Sequence, residues 1–220
     1  RSSELRVTSV VASQDGGLLG MGYGTDVGSS RGDVVSRWDA KGRLVGAVRV
    51  DVTFGSAVAE LPDGDVVVVG YGSTRRRDDA WVARLTPDLL PRWHRYYGGA
   101  GHDSFSSVAV MADGGVVACG YTHVAPDASD PAKPWLLRLD PAGDVLWSRI
   151  IDATDDATCS LVVALPDGGV AASGHAPWYA VWRLAADGTL TWCTKLTSDA
   201  PAAMDVAPDG DIVLLGRRGG

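Results

Sequence analysis

Apolar residues in this chain come in runs of about four to six, cut by turn residues, and never in the long 3.6-residue periodicity of a helix. One stretch shows the pattern plainly. Ser106 to Met111 reads as a strand, Ala112-Asp113-Gly114-Gly115 as a tight turn, and Val116 to Tyr121 as a second strand. A long loop, Thr122 to Pro134, leads to a third strand at Trp135 to Leu139. Asp140-Pro141-Ala142-Gly143 then turns the chain into a fourth strand, Val145 to Arg149. Asp-Gly at a turn supplies the positive φ that a hairpin needs. Second strands such as Val66-Val67-Val68-Val69 are apolar without alternation. A strand with one wet face alternates, so these are expected to be covered on both faces.

The same unit recurs. Asp-Gly turns begin at Asp15, Asp63, Asp113, Asp167 and Asp209, spaced by 48, 50, 54 and 42 residues. Each is followed, seven residues after the Asp, by a glycine: Gly22, Gly70, Gly120, Gly174 and Gly216. A period of this length built from four short strands predicts an all-β protein, a β-propeller of four-stranded antiparallel blades. The repeats fall at about 4–55, 56–103, 104–156, 157–199 and a half-repeat at 200–220. The expectation is therefore a single domain, residues 1–220, with four complete blades and a two-stranded fifth. Arg37, Arg84, Arg138 and Arg183 share one position of the third strand and are expected to pair with an acidic group at the blade interface or to face solvent. Trp93, Trp147 and Trp192 share one position of the fourth strand, where the first repeat has Gly46. A Trp at a fixed offset is expected to wedge between blades, because its large apolar area suits surfaces that splay apart.

Charge and composition narrow the partners. The net charge of −7 lacks the basic footprint that nucleic acid or an anionic membrane requires. No apolar run is long enough to span a bilayer, so membrane insertion is not expected. Cys119, Cys159 and Cys193 are odd in number and lack metal-type spacing, which predicts buried free thiols and leaves one disulfide open. The chain starts at Arg1 rather than Met, as expected of a piece of a longer protein.

The segments Asp79-Ala80-Trp81-Val82-Ala83-Arg84-Leu85, Tyr97-Gly98-Gly99-Ala100-Gly101-His102-Asp103, Asp113-Gly114-Gly115 and Gly120-Tyr121-Thr122 resemble the bacterial β-propeller repeats called SBBP or delta-60 repeats. The first repeat is the weakest, lacking the Trp and the Tyr-Gly-Gly segment. The resemblance implies a bacterial, multidomain context, cytoplasmic or exported, and brings no catalytic residues and no cofactor.

In such a fold the second-to-third and fourth-to-first connections share one face, and here they are long and irregular, as binding loops are. Candidates on that face are Arg75, Arg76 and Arg77, His102 followed by Asp103, His123, and Trp178 with Tyr179. The arginines would suit an acidic partner or a solvated loop. His102-Asp103 looks like half of a catalytic dyad, but an Asp there belongs to the repeat, so a structural role is expected. Trp178-Tyr179 is either an exposed recognition patch or packing against a neighbouring blade, the second being the commoner outcome. Asp152, Asp155 and Asp156 lack the ordered spacing of a calcium loop. No metal site is expected, and no nucleophile-elbow, phosphate-loop or zinc-protease motif occurs. The last strand, Ile212-Val213-Leu214-Leu215, is too apolar for a blunted edge and predicts an open pairing site. These features point to a non-catalytic interaction, scaffold or sensor module that binds a protein partner, or other domains of its parent chain, through the loop face or the open edge. A lectin-like propeller and a five-bladed glycan-cleaving enzyme are the alternatives.

Overall fold

The computed structural model describes residues 5–24, 32–50, 54–73, 78–152, 155–175, 177–196 and 201–216. The chain forms two compact units, Arg1–Gly98 and Gly99–Gly220. In the first unit, β1 (Leu5–Ala12), β2 (Leu18–Gly24), β3 (Gly32–Trp38) and β4 (Leu44–Val50) make one sheet. A second sheet contains β5 (Phe54–Glu60), β6 (Val66–Ser73), β7 (Asp78–Leu85) and β8 (Pro91–Tyr97). In the second unit, β9 (Asp103–Val110), β10 (Val116–Thr122), β11 (Lys133–Leu139) and β12 (Val145–Ile150) make the third. The fourth holds β13 (Thr158–Ala164), β14 (Val170–His175), β15 (Tyr179–Leu184) and β16 (Leu190–Lys195). β17 (Pro201–Val206) and β18 (Ile212–Gly216) pair alone. Strands lie in sequence order, each antiparallel to the next, so hairpin follows hairpin as the repeat requires.

First strands start earlier than the apolar pattern implies. β9 begins at Asp103 rather than Ser106, because a bulge between Cys119 and Gly120 lets Ser104 and Phe105 continue the ladder. The corresponding bulge occurs in all five hairpins, and the recurrent glycine sits at it: Gly22, Gly70, Gly120, Gly174 and Gly216. A Cβ at Gly120 would collide with the Ser104 carbonyl, and one at Gly70 with that of Phe54. The glycine is thus fixed by close approach of the first strand's backbone, as bulges demand. Turn glycines such as Gly64 and Gly114 take φ near +80°, and each turn Asp accepts the N–H two residues on, Asp113 from Gly115 at 3.0 Å.

The turn Asp also receives the third-strand arginine. Arg138 Nη2 makes bonds of 2.6 and 2.5 Å to the two oxygens of Asp113, and Arg84 holds Asp63 at 2.5 Å and Asp65 at 2.6 Å. Arg37 reaches Asp15 at 3.5 Å and Glu60 of the next sheet at 3.0 Å, and Arg183 pairs with Asp167. Each of the four arginines thus meets the turn carboxylate of its own sheet, and Arg37 also crosses to the next sheet through Glu60.

The second strands β6, β10 and β14 are buried on both faces, as their unbroken apolar runs imply: Val66, Val67, Val68 and Val69 are all at most 1% exposed. They centre two cores. Leu19, Met21, Val35, Val68, Trp81 and Leu85 belong to the first unit's core. Val117, Cys119, Leu136, Cys159, Ala172 and Trp182 belong to the second's.

The recurrent Trp behaves as a wedge at one position. Trp147 lies over Gly188 of the next sheet, close enough that a Cβ there would sit 2.7 Å from the indole, and its Nε1 donates to the Ala186 carbonyl at 2.9 Å. Trp192, expected to do the same, is 40% exposed. The sheet that follows it has two strands among the described residues, so no third-to-fourth turn covers it. In the first unit the pair is inverted. Gly46 takes the Trp position, and Leu89 takes the place of Gly188, with φ +62° and 3% exposure. A Cβ at Gly46 would touch Leu89 Cδ1 at 3.6 Å, so a side chain from one partner fills what the other vacates. Leu in the left-handed region is strained, and burial in the core holds it there.

Cys119 and Cys159 are buried free thiols, whereas Cys193 is exposed, because it stands on the outer strand β16 rather than an inner one. Trp147→Gly and Gly188→Leu should each cost about 1–3 kcal/mol. The double variant, which transplants the Gly46–Leu89 arrangement, should lose clearly less than their sum in a urea-denaturation cycle; additive losses would mean the two sites do not compensate. In the native protein a thiol reagent should modify one cysteine quickly, Cys193, and all three only after denaturation.

Candidate functional site

The loop face of the second unit is built by connections around β9 to β15. Asp103 opens β9 fully buried, and its Oδ2 accepts the Gly99 N–H at 2.9 Å. It clamps the Gly-Gly segment onto the strand, so the Asp of His102-Asp103 has a structural task. The His102 carbonyl accepts the His123 N–H at 2.9 Å, which joins the two loops. A Cβ at Gly101 would run into the His123 carbonyl, so the close approach needs glycine.

His123 is part of a folded loop. Its Nδ1 lies 2.9 Å from the Asp130 carbonyl, and its ring meets Tyr121 edge-on at 5.8 Å. The Asp130 carboxylate accepts N–H groups of Ala125 at 2.9 Å and Val124 at 2.8 Å. Those bonds, the Ala125 one foremost, hold its pKa below the usual carboxylate range. The loop is tied to the next one: Ala132 N–H donates to Asp156 Oδ1 at 2.9 Å, and Lys133 Nζ reaches Asp152 at 3.0 Å. Two of the three aspartates weighed for calcium thus serve loop structure. Among the described residues no group of three or more His, Cys, Asp or Glu could hold a metal ion.

Trp178 lies in the connection between β14 and β15, and Tyr179 opens β15 opposite His175. Trp178 is 45% exposed, not packed away. The Lys195 ammonium sits 4.8 Å from its ring centroid, and His175 meets the half-buried Tyr179 edge-on at 5.2 Å. The sequence singles out Trp178 and Tyr179 but misses His175 and Lys195, which reach them from the strands on either side. Arg75, Arg76 and Arg77 lie outside the described residues.

The last strand, β18, pairs with β17 alone among the described residues. Val213 is 54% and Leu215 65% exposed, with Ile212 and Leu214 half-buried. Beside it is a groove of about 300 Å³ lined by Leu165, Asp167, Arg183, Asp209 and Ile212. The first unit holds another, of about 310 Å³, lined by Val48, Val50, Trp81, Trp93 and Tyr96; nothing in the apolar pattern signals it.

No protein family and no curated protein matches the chain. Solved structures do. A protein of unknown function from Bacteroides caccae superposes with a TM-score of 0.65 at 13% identity, over 98% of this chain and 72% of that one. Chaetomium thermophilum Sqt1, solved bound to the N-terminus of ribosomal protein L10, gives 0.66 at 15% identity, over 96% of this chain and 56% of Sqt1. The Neurospora crassa Pan2 WD40 domain gives 0.54 at 11% identity, over 86% and 49%. The chain thus spans about half the length of the last two. These likenesses define the class by fold: an all-β chain of antiparallel four-stranded sheets, similar to WD40 and other β-propeller proteins.

The Arg138–Asp113 pair makes stability pH-dependent. Burial works against the Asp113 carboxylate, but the Gly115 N–H and the Arg138 guanidinium outweigh it and hold its pKa below the usual range. A lowered folded pKa means the stabilisation is present above the unfolded value and lost as pH falls through the folded one. Asp113→Asn should cost about 1–3 kcal/mol at pH 7, since it leaves the buried Arg138 without its carboxylate. The gap in melting temperature to the wild type should close as pH drops below about 4; a gap constant down to strong acid would contradict the pairing as its source.

Proposed function

We propose that the chain is a non-catalytic protein-interaction module, and that its partner docks on the irregular loop face around Trp178. The observation that carries this reading is the exposed indole with Lys195 held over its ring. A half-exposed Trp with Lys195 over its ring matches the aromatic anchor that dominates protein interfaces. The His, Asp and loop carboxylates that suggested chemistry are engaged in holding backbone. Sqt1 is a fold neighbour bound to a ribosomal-protein segment; fold likeness alone carries no function across, but it agrees in kind. In this reading the repeats form a five-bladed propeller of the SBBP type, working within a larger bacterial protein. An exposed Trp beside a lysine also suits a sugar ring, which keeps the lectin-like alternative in view.

The test is a peptide-display selection against the 220-residue chain, run beside a glycan array. Selected peptides should bind the wild type and lose about tenfold or more in affinity to Trp178→Ala, with the melting temperature unchanged because the side chain is exposed. Glycan binding lost in Trp178→Ala would replace the proposal with the lectin-like one. Peptide binding indifferent to Trp178 would remove the loop face as the docking site.

A further inference from the structure

In each four-stranded sheet, one relation between second and third strands repeats. The residue four after the turn Asp stands opposite the arginine that closes on that Asp. Leu19 faces Arg37, Val67 faces Arg84, Val117 faces Arg138 and Ala171 faces Arg183. Two residues before each arginine comes a buried apolar residue: Val35, Val82, Leu136 or Val181. Directly after it comes Trp38, Leu85, Leu139 or Leu184. The third strand therefore reads apolar–x–Arg–Leu/Trp in all four sheets.

β18 offers the same template with no described strand laid on its outer edge. Asp209 starts the turn, accepts the Asp211 N–H at 3.1 Å as its counterparts do, and has no arginine among the described residues. Val213 stands four residues on and is 54% exposed. Leu215, in the place that faces Val35, Val82, Leu136 or Val181 elsewhere, is 65% exposed. The strand's outer edge pairs with no described strand. The groove beside it brings the exposed Asp209 next to the Asp167–Arg183 pair, so the site is acidic on balance.

We propose that β18 is a docking edge for an extended segment of a partner protein with the pattern apolar–x–Arg–Leu/Trp. The segment runs antiparallel to β18. Its arginine lies opposite Val213 and closes on the Asp209 carboxylate, its first apolar residue covers Leu215, and its last covers Ile212. Main-chain bonds supply affinity, and the arginine and the two apolar residues set register and selectivity. This extends the interaction-module reading to a second surface, distinct from Trp178.

The probe is a synthetic peptide copying Asp78–Leu85, which carries this pattern with Arg84 in the required place. It is added to the 220-residue chain, and hydrogen exchange is followed residue by residue. Without peptide, the β18 amides that face away from β17 should exchange fast at every protein concentration. With it, alternate amides of Ile212 to Leu215 should slow. Replacing the peptide's arginine by Ala, or making Asp209→Asn in the chain, should weaken binding about tenfold each, with no further loss when combined. Trp178→Ala should leave peptide binding unchanged, so this site and the loop face stand or fall separately. Three results would overturn the proposal: binding indifferent to the arginine and to Asp209, protection of the outward-facing β18 amides that grows with protein concentration alone, or protection of those same amides in the monomer before any peptide is added. The second would assign the edge to another copy of the chain, and the third would mean it is already covered.

Discussion

The ion pair between a third-strand arginine and the Asp of the first hairpin's turn organises each four-stranded sheet. The two residues are 16 to 25 positions apart, so the bond joins the first hairpin of a sheet to the second. Arg138, largely buried, takes both oxygens of Asp113 and also donates to the Val116 carbonyl. A guanidinium in that position must be neutralised or it would destabilise the sheet. The same Asp shapes the turn by accepting an N–H two residues on. One carboxylate thus fixes the bend of one hairpin and the register of the next.

The repeat was legible because its marks are local. Asp-Gly turns and bulge glycines are demanded by backbone geometry within a few residues, and they recur at a period the eye can find. The bulge itself was not legible, so β9 begins three residues before its apolar run does. The arginines announced their shared position but not their partner, since a pairing across two hairpins leaves no spacing rule when the loop between them varies in length.

Burial of aromatic residues was the least legible feature, and Trp178 and Trp192 show why. Each stands in a residue pattern consistent with packing, yet each is 40% or more exposed. Whether a side chain on a sheet's rim is covered depends on what the neighbouring sheet presents, and that information lies some forty residues away. Cys193 departs from expectation for the same reason, being apolar in company but outermost in place. Asp103 accepts the backbone N–H four residues before it, a structural bond of the kind that an Asp recurring in the repeat suggests.

The exchange of Trp147 over Gly188 for Gly46 against Leu89 bears on how such a chain tolerates rearrangement. Repeats with one shared blueprint look interchangeable, as if any could be duplicated, deleted or moved. Here the large and small halves of a contact have traded sides between one pair of neighbours and another. Setting the first sheet ahead of the fourth would bring Gly46 against Gly188 and leave a hole, whereas setting the third ahead of the second would drive Trp147 into Leu89. The sheets therefore carry a lock-and-key code for their order, and a shuffled chain of the same composition would fold poorly.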